Sequence, residues 1–170
     1  MKFSIILAHE LNNGIGLENK LPWYYKEDLK FFKETTKNSI VIMGKNTFDH
    51  LPIKPLPDRI NIVLSRNINS RKDNLIYTDI KNLQDEIFNI SNNYKKEIFI
   101  IGGKEIYDLF YNKTLSYDLD FYVDKIYISK IKNHHKSDTF INLPFLSIYF
   151  NESHKKETKD IDFCLYKLIE

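Results

Sequence analysis

One acidic residue in an apolar helical segment offers the clearest prospect of chemistry in this sequence. Asp28 stands five residues beyond Trp23, at the head of a predicted helix over 28–36. Helical spacing places Asp28, Leu29 and Phe32 on one core-facing side of that helix. Burying a carboxylate beside Leu and Phe is costly unless a partner meets it. That partner is either a hydrogen-bond donor of the protein or a ligand that requires an acid.

Two strand-to-helix junctions carry residue types that bind phosphate. An Ile-Gly-Gly run at 101–103 ends one apolar segment and opens a helical one, and Gly-Lys-Asn-Thr at 44–47 has the same design. Glycine lets the backbone approach a ligand, and a helix N-terminus presents free N–H groups to an anion. A bare Gly-Gly pair favours a plain turn, so the ligand interpretation depends on finding the second junction.

Cationic residues flank another apolar run, at 60–64. Arg59 precedes it, and Ser65 and Arg66 follow it at the carboxyl end, where ligands meet parallel sheets. Arginine's planar guanidinium grips a carboxylate through two parallel hydrogen bonds. Taken alone, Arg66 is typical of a solvated surface charge, and Arg59 of a turn residue paired with Asp58.

Four segments of the chain resemble the dihydrofolate reductase family, in the family's order. The first joins a Gly-Ile-Gly…Leu-Pro-Trp loop at 14–23 to the acid at Asp28, and the others lie at 41–48, 55–66 and 100–107. Any one motif is a weak signal, whereas four in order at family spacing are strong. The resemblance covers most of the chain and favours ligand roles for the charged residues described above.

The resemblance implies NADPH-dependent reduction of 7,8-dihydrofolate to tetrahydrofolate, which supplies one-carbon carriers for thymidylate and purine synthesis. Hydride would pass from nicotinamide C4 to C6 of dihydrofolate, and proximity of the two rings would supply much of the rate. Asp28 would bind the pterin's 2-amino and N3 groups and assist protonation of N5 through a water. Trp23 would help to hold that water, and Leu21 lies in a mobile loop near the active site.

The same resemblance implies a set of substrate-binding residues. Arg59 would receive the α-carboxylate of the folate glutamate tail, and Ser129 takes the place of a Thr that often bonds the acid. The remaining members of the set are Ile6, Asp28, Leu29, Phe32, Lys33, Leu56, Ile101 and Tyr107.

A second set of residues is implied for the cofactor. Lys45 and Arg66 would hold the adenosine 2′-phosphate, which favours NADPH over NADH, and family members join Gly102 and Gly103 by a cis bond. The loop containing Asp138 is one that can contact the mobile loop. The remaining cofactor-binding residues are Ala8, Ile15, Gly16, Leu17, Asn19, Lys20, Asn46, Thr47, Leu64, Ser65, Ile101, Lys104, Glu105 and Tyr107.

Alternating strand and helix patterns must position these residues. Apolar runs predict buried strands at 3–8, 40–43, 60–64, 97–101 and 125–131, with a weaker candidate at 75–77. Helices are predicted at 28–36, around 83–90 and at 105–110, and a terminal hairpin at 145–152 and 163–169.

The alternation of strands and helices indicates an α/β fold with a largely parallel sheet. The resemblance sharpens this to one domain over 1–170, with an eight-stranded mostly parallel sheet, an antiparallel C-terminal hairpin strand and flanking helices. We interpret 112–124 as a surface insertion.

Composition narrows the class of protein. A net charge of +2 does not indicate a protein surface that binds nucleic acid or a membrane. The single cysteine, Cys164, fits a reducing cytosol and a packing role. Neighbouring His134 and His135 would point to opposite faces of a strand, so we predict a solvated loop and no metal site. We expect a cytoplasmic monomer that acts on a small molecule, with no attached thymidylate synthase domain.

Two other functions remain open at this stage. One is a reductase of the same fold that acts on a ribosylated pyrimidine in riboflavin synthesis, against which the Pro22-Trp23 loop followed by Asp28 argues. The other is a nucleotide-binding module that has lost turnover, against which Asp28, Arg59 and both phosphate motifs argue. A substrate panel separates the first from dihydrofolate reduction, and tight cofactor binding without turnover would favour the second.

Overall fold

The computed structural model describes residues 1–91, 96–118 and 120–170. Its strands are β1 (Lys2–His9), β2 (Gly14–Gly16), β3 (Ile40–Gly44), β4 (Ile60–Leu64), β5 (Ser70–Lys72), β6 (Leu75–Thr78), β7 (Ile98–Gly102), β8 (Tyr122–Ile131), β9 (Thr139–Phe140), β10 (Phe150–Glu157) and β11 (Ile161–Leu168). Its helices are α1 (Lys26–Thr36), α2 (Lys45–Asp49), α3 (Leu83–Ser91), α4 (Lys104–Leu115) and α5 (Leu146–Tyr149).

Within these described residues, nine strands form one mixed sheet in the order β10-β11-β8-β1-β7-β3-β4-β6-β5. Six neighbouring strands of the sheet pair in parallel, namely β8, β1, β7, β3, β4 and β6. Strand β11 runs antiparallel to β8 and to β10. The predicted α/β fold with an antiparallel C-terminal strand is therefore confirmed. The strand beyond the expected eight is β5, a short exposed edge strand whose Arg71 and Lys72 suit a sheet edge that must not pair further.

The core lies at the centre of the sheet, where strands are covered on both faces. Ile40, Val41, Ile42 and Met43 of β3 are all fully buried, which explains why this strand reads as a continuous apolar run and not as an alternating one. Each neighbouring parallel strand delivers its C-terminal end to the same edge of the sheet. That edge carries the junctions identified from the sequence, between β3 and α2 and between β7 and α4.

The C-terminal hairpin differs from its prediction. Residues 145–152 were expected as one strand, but they form the short helix α5 and only then the start of β10. Phe145 adopts a left-handed conformation with φ of 62°, and its carbonyl accepts hydrogen bonds from Ile148 and Tyr149. The charged stretch between the two predicted strands, 154–160, lies partly on β10, which continues to Glu157 as an outer strand with exposed residues after Phe150.

The interpretation of 112–124 as a surface insertion is wrong for most of that segment. Its first part completes α4, and its last part begins β8. The hydroxyl of buried Thr114 donates to the Phe110 carbonyl and accepts from the Val123 backbone N–H. The ring of Phe121 stacks on Phe3 at a centroid distance of 5.7 Å. The apparent lack of periodicity arises because a helix end, a turn and a strand start share this short stretch.

Every helix in the described part of the chain is too short or too polar to span a bilayer.

Candidate active site

The first turn of α1 places Asp28 in the interior. Tyr25 precedes the helix with extended backbone, and its carbonyl accepts hydrogen bonds from the N–H groups of Asp28 and Leu29, both at 3.2 Å. An acidic residue is favoured in a first helical turn because the helix dipole is positive there. The Asp28 side chain is only 7% exposed, so helix geometry directs a carboxylate into the protein and not into solvent.

The donors that meet Asp28 are neutral. Trp23 Nε1 donates to Asp28 Oδ2 at 3.4 Å, and the buried hydroxyl of Ser129 also hydrogen-bonds the carboxylate. Burial raises the pKa of Asp28, while these two hydrogen bonds lower it in part and the charge of Glu27 raises it again. No cation pairs with Asp28 among the residues that the structure describes. Its carboxylate therefore remains available to a ligand that offers N–H donors.

Apolar side chains and one tyrosine build the wall beside this acid. Ile6 is buried on β1, and its carbonyl accepts a hydrogen bond from the Tyr107 hydroxyl at 2.9 Å. Ile101, Leu56 and Phe32 are partly buried and pack against the same apolar cluster as Ile6. Burial and the nearby charge of Asp28 both raise the pKa of Tyr107, which stays a neutral donor. The structure thus brings these predicted substrate residues together.

Three of the residues predicted for catalysis and substrate binding lie toward solvent. Leu29 is 42% exposed, so the prediction that it shares a core-facing side with Asp28 is wrong: its Cβ follows Asp28 by about 100° around the helix. Lys33 is exposed one turn further along α1, and Leu21 is 51% exposed in the loop before it. An exposed leucine beside a buried acid is the arrangement expected of an open pocket wall.

Arg59 is a buried cation without an anionic partner among the described residues. Its side chain is 7% exposed; Nε donates to the Pro57 carbonyl at 2.8 Å and Nη1 to Thr36 Oγ1 at 3.1 Å. Burial lowers the pKa of Arg59, and the charge of Asp58 raises it slightly, yet the two form no ion pair. The alternative of a turn arginine paired with Asp58 is therefore wrong. The remaining N–H donors of the guanidinium suit a carboxylate ligand.

Thr36 is a candidate site residue that the sequence did not reveal. It lies fully buried in the last turn of α1, donates from Oγ1 to the Phe32 carbonyl at 2.8 Å, and accepts from Arg59. Its only signal in the sequence was a threonine four residues after Phe32, a spacing at which a hydroxyl commonly bonds back to the helix.

The two phosphate junctions meet at one edge of the sheet because β3 and β7 are neighbouring parallel strands. Gly44 precedes α2 and Gly103 precedes α4, each with extended backbone, and the Gly102–Gly103 peptide bond is cis. A Cβ on Gly103 would lie 3.1 Å from Thr47 Oγ1, and one on Gly44 would lie 3.2 Å from Ile106 Cγ1. Glycine thus lets the two helix starts approach each other and present their N–H groups, whereas a Cβ at either position would push the Thr47 or Ile106 side chain aside by a few tenths of an ångström.

The predicted 2′-phosphate residues lie near the end of β4 and the start of α2. Arg66 is exposed and makes no ion pair with any residue the structure describes. Lys45 is half exposed and pairs with Asp49 at 2.6 Å, and this hydrogen bond raises the pKa of Lys45. Leu64 is the last residue of β4, and Ser65 follows it directly before Arg66. The Ser65 N–H donates a hydrogen bond to the Thr78 carbonyl.

The loop before α1 is tied to the rest of the molecule by specific contacts. Its strand β2 pairs with β9, and the Glu18 N–H donates to Asp138 Oδ2 at 2.9 Å, which confirms the predicted contact between these loops. Asn46 of α2 donates to Asn19 Oδ1 at 2.7 Å. This loop therefore contacts both α2, which carries predicted cofactor residues, and the segment that contains Asp138. Its predicted cofactor residues are Ile15, Gly16, Leu17, Asn19 and Lys20.

The remaining predicted cofactor residues fall into two environments. Ala8 is half-buried on β1 and pairs with Ser129 of β8, close to the acid's hydroxyl donor. Lys104 and Glu105 are exposed on the first turn of α4, and Lys104 Nζ donates to the Phe140 carbonyl at 3.0 Å. The Glu105 charge opposes an anion at that helix start, so its part in cofactor binding stays a prediction.

Known proteins are similar to this chain in sequence. A family model described as dihydrofolate reductase matches residues 2–168. A dihydrofolate reductase of Ureaplasma parvum is 39% identical over 142 residues, covering 83% of this chain and 82% of the relative. One of Haemophilus influenzae is 33% identical over 175 residues, covering 99% and 98%.

A solved structure extends the similarity to three dimensions. Dihydrofolate reductase from Enterococcus faecalis, complexed with NADP(H) and RAB-propyl, superposes with a TM-score of 0.77 at 25% identity, covering 99% of this chain and 96% of that one. With a buried acid, a buried unpaired guanidinium and two glycine junctions in the expected places, this chain belongs to the dihydrofolate reductase family.

Proposed function

We propose that the protein reduces 7,8-dihydrofolate to 5,6,7,8-tetrahydrofolate with NADPH, supplying one-carbon carriers for thymidylate and purine synthesis. One observation carries the assignment of the substrate site. Helix α1 holds a buried acid, Asp28, at its start and, through Thr36, a buried guanidinium at its end. The two positions are about 12 Å apart along the helix axis. A ligand with N–H donors at one end, a carboxylate at the other and an aromatic ring between them fits this spacing.

The residues between Asp28 and Arg59 are suited to contact the aromatic ring of such a ligand. Phe32 and Leu56 present partly buried apolar surface, and Arg59 lies over the Phe32 ring at 5.8 Å. Leu29 adds an exposed apolar side chain on the same helix. A p-aminobenzoyl ring would be covered here, while the glutamate α-carboxylate would reach the free donors of Arg59.

The chain's own contribution to the chemistry centres on the proton. Asp28 would bind the pterin's 2-amino and N3 groups and favour a proton at N5, which lies in the same ring system. Because burial raises the pKa of Asp28, the acid is matched to proton handling nearer neutral pH than an exposed aspartate. Trp23 would hold both Asp28 and the water that relays the proton, and Leu21 would help to cover the site.

The cofactor site fits NADPH. The bound cofactor supplies the hydride that reaches C6 of the pterin. Thr47 and the N–H groups at the starts of α2 and α4 would bind its phosphates, and Lys45 and Arg66 its 2′-phosphate. Binding would require Lys45 to exchange part of its contact with Asp49 for the phosphate.

We further propose that residues 1–170 form a single domain that acts as a cytoplasmic monomer on this small molecule, without nucleic acid or a membrane surface. One continuous sheet includes strands from near both ends of the chain, which supports a single domain. The net charge of +2 is not strongly basic, which supports a small-molecule partner over nucleic acid or a membrane surface.

A spectrophotometric assay tests the activity. NADPH oxidation is measured with dihydrofolate, with a ribosylated pyrimidine, and with no acceptor. We expect oxidation that depends on dihydrofolate alone. Turnover only with the ribosylated pyrimidine would assign the protein to the other reductase, and NADPH binding without any turnover would leave a nucleotide-binding module.

A further inference from the structure

A fully buried carboxylate lies outside the substrate site. Glu10 follows β1 and has 0% exposure. Its Oε1 accepts hydrogen bonds from the N–H groups of Asn12 at 2.8 Å and Gly14 at 2.7 Å. Its Oε2 accepts from the His135 N–H at 3.3 Å and lies 3.1 Å from His134 Nδ1. Glu10 therefore links the turn after β1 to the loop after β8, because its carboxylate accepts hydrogen bonds from backbone N–H groups of both segments.

Glycine at position 14 makes room for this carboxylate. A Cβ on Gly14 would lie 2.8 Å from Glu10 Oε1 and 2.1 Å from Ser137 Oγ, so any larger residue would clash with both side chains. The turn after β1 and the loop after β8 are thus fitted around Glu10. Burial of Glu10 was not predictable from the sequence, because a Glu in a polar turn is ordinarily exposed.

The loop held by Glu10 places the His135 ring against two aromatic side chains. His135 Nε2 lies 2.8 Å from the Tyr25 hydroxyl, and the two rings meet edge to face with centroids 5.7 Å apart. The His135 ring also lies 5.8 Å from the Trp23 ring, tilted by 54°. The sequence-based prediction of a solvated loop is therefore wrong for His135, although the His134 side chain is 63% exposed.

Both aromatic partners of His135 act directly on Asp28. Trp23 donates its indole N–H to the Asp28 carboxylate. Tyr25 accepts at its carbonyl the N–H of Asp28 itself and so sets the first turn of α1. The His135 ring is thus linked to Asp28 in two ways. It contacts Trp23, whose side chain bonds the Asp28 carboxylate, and it contacts Tyr25, whose backbone carbonyl bonds the Asp28 N–H.

We propose that His135, anchored by Glu10, is a positioning residue for Asp28, because it fixes the orientation of Trp23 and Tyr25. The inference rests on the proposed function, since it concerns the acid of that reaction. A displacement of about 1 Å at a reacting group can cost roughly 10²-fold in rate. Loss of the His135 ring should therefore slow proton-coupled hydride transfer while leaving NADPH binding at the two phosphate junctions unchanged, because the His135 ring itself contacts Trp23 and Tyr25.

Two substitutions at His135 and one at Tyr25 separate the contacts. His135→Ala removes the imidazole's contacts with the Tyr25 hydroxyl and the Trp23 ring, and leaves the Tyr25 hydroxyl only the hydrogen bond that Asn133 Nδ2 donates to it at 3.1 Å. His135→Gln keeps a polar nitrogen near the position of Nε2, and Tyr25→Phe removes only the hydroxyl. The matched control is His134→Ala, because His134 Nδ1 lies 3.1 Å from Glu10 Oε2 and 3.0 Å from Asn12 Nδ2, and the ring makes no contact with the Trp23 ring. Glu10 keeps three backbone donors in that control.

Three measurements are made on the full chain. Single-turnover hydride transfer from NADPH to dihydrofolate is followed across pH 5 to 9, NADPH affinity is measured by titration, and Trp23 emission reports the indole's surroundings. Trp23 is the chain's one tryptophan, so its fluorescence has a single origin.

We expect His135→Ala to lower the hydride-transfer rate at pH 7 by roughly 10- to 100-fold. The midpoint of its pH profile should move, Trp23 emission should shift, and NADPH affinity should stay within about twofold. His135→Gln should recover much of the rate, Tyr25→Phe should lose less than His135→Ala, and His134→Ala should resemble the parent.

A parent-like hydride-transfer rate in His135→Ala would overturn the inference. So would a rate loss with an unchanged pH midpoint and no recovery in His135→Gln, since that pattern indicates general loosening. Failure of the proposed function is distinct, because the parent protein would then show no NADPH oxidation that depends on dihydrofolate. In that event, unchanged Trp23 emission in His135→Ala would still refute the positioning contact.

Discussion

The indole nitrogen of Trp23 lies 3.4 Å from Oδ2 of Asp28, at the long end of hydrogen-bond geometry. The other donor to this carboxylate is the neutral hydroxyl of Ser129. Two neutral donors orient the acid without neutralising its charge. Because the side chain is also buried, the pKa of Asp28 is raised, and a ligand able to donate N–H bonds gains more here than at an exposed carboxylate.

Replacing Lys45 and Arg66 together by Ala should weaken NADPH binding much more than NADH binding. Only NADPH carries the 2′-phosphate, and each charge-assisted hydrogen bond contributes about 1.5–3 kcal/mol. Part of the Lys45 contribution is offset by its existing pair with Asp49. Affinities measured by fluorescence titration check this, and equal losses for the two cofactors would refute the assignment.

Arg59→Lys should weaken dihydrofolate binding and leave NADPH affinity nearly unchanged. Lysine keeps the positive charge but loses the planar fork, and it cannot reproduce both the Thr36 and Pro57 hydrogen bonds while gripping a carboxylate. The matched control is a pterin substrate without the glutamate tail, whose turnover should be indifferent to the change. If the truncated substrate suffers equally, Arg59 acts through folding.

Glu10→Gln should destabilise the fold by about 2 kcal/mol at pH 7, because an amide cannot accept all the N–H bonds that meet the carboxylate. Burial alone would raise the pKa of Glu10, but three backbone N–H groups and His134 outweigh it, so this pKa is lowered. The folded-state pKa thus lies below that of the unfolded chain. The carboxylate's contribution is fully present above the unfolded value, about 4.3, and is lost as pH falls through the folded one.

Denaturant titrations of the parent and Glu10→Gln from neutral to acidic pH measure this difference in the free energy of unfolding. The gap should narrow on acidification. The control is Glu34→Gln, whose exposed side chain lies 3.9 Å from Lys30 and should change stability by less than about 0.5 kcal/mol. A gap that stays constant down to the acid transition would show that the Glu10 charge contributes nothing.

Much of the fold was predictable because parallel strands covered on both faces read as continuous apolar runs. Ile60–Leu64 is an example whose bounds agree with the prediction. The hairpin near Phe145 was not predictable, because a left-handed residue and a short helix interrupt an apparently strand-like pattern. The 112–124 segment was misread for a similar reason, since Thr114 and Phe121 belong to different elements.

The candidate site was predictable where local spacing fixes the residue's position. Asp28 and the two glycine junctions follow from helical register and from strand ends. The His135 and Glu10 contacts across the fold were not predictable, because Tyr25 lies 110 positions from His135 and His134 lies 124 positions from Glu10. Short-range patterns carry no information about which loops a sheet brings together.

Asp28→Asn tests the central claim that Asp28 handles the proton of the reaction. Asn is nearly isosteric, so the fold and NADPH binding should survive, but it cannot carry the charge that favours a protonated pterin. Positioned acid–base groups contribute roughly 10²–10⁴-fold in rate, and we expect a loss of that order at neutral pH.

Hydride transfer from deuterated NADPH, followed from pH 5 to 9 in the parent and in Asp28→Asn, measures this most directly. The rate of the variant should partly return as pH falls, because solvent then protonates N5 before hydride transfer. Parent-like rates at pH 7, or a low rate that does not rise on acidification, would show that Asp28 is a structural acid of α1 and not the residue that handles the proton.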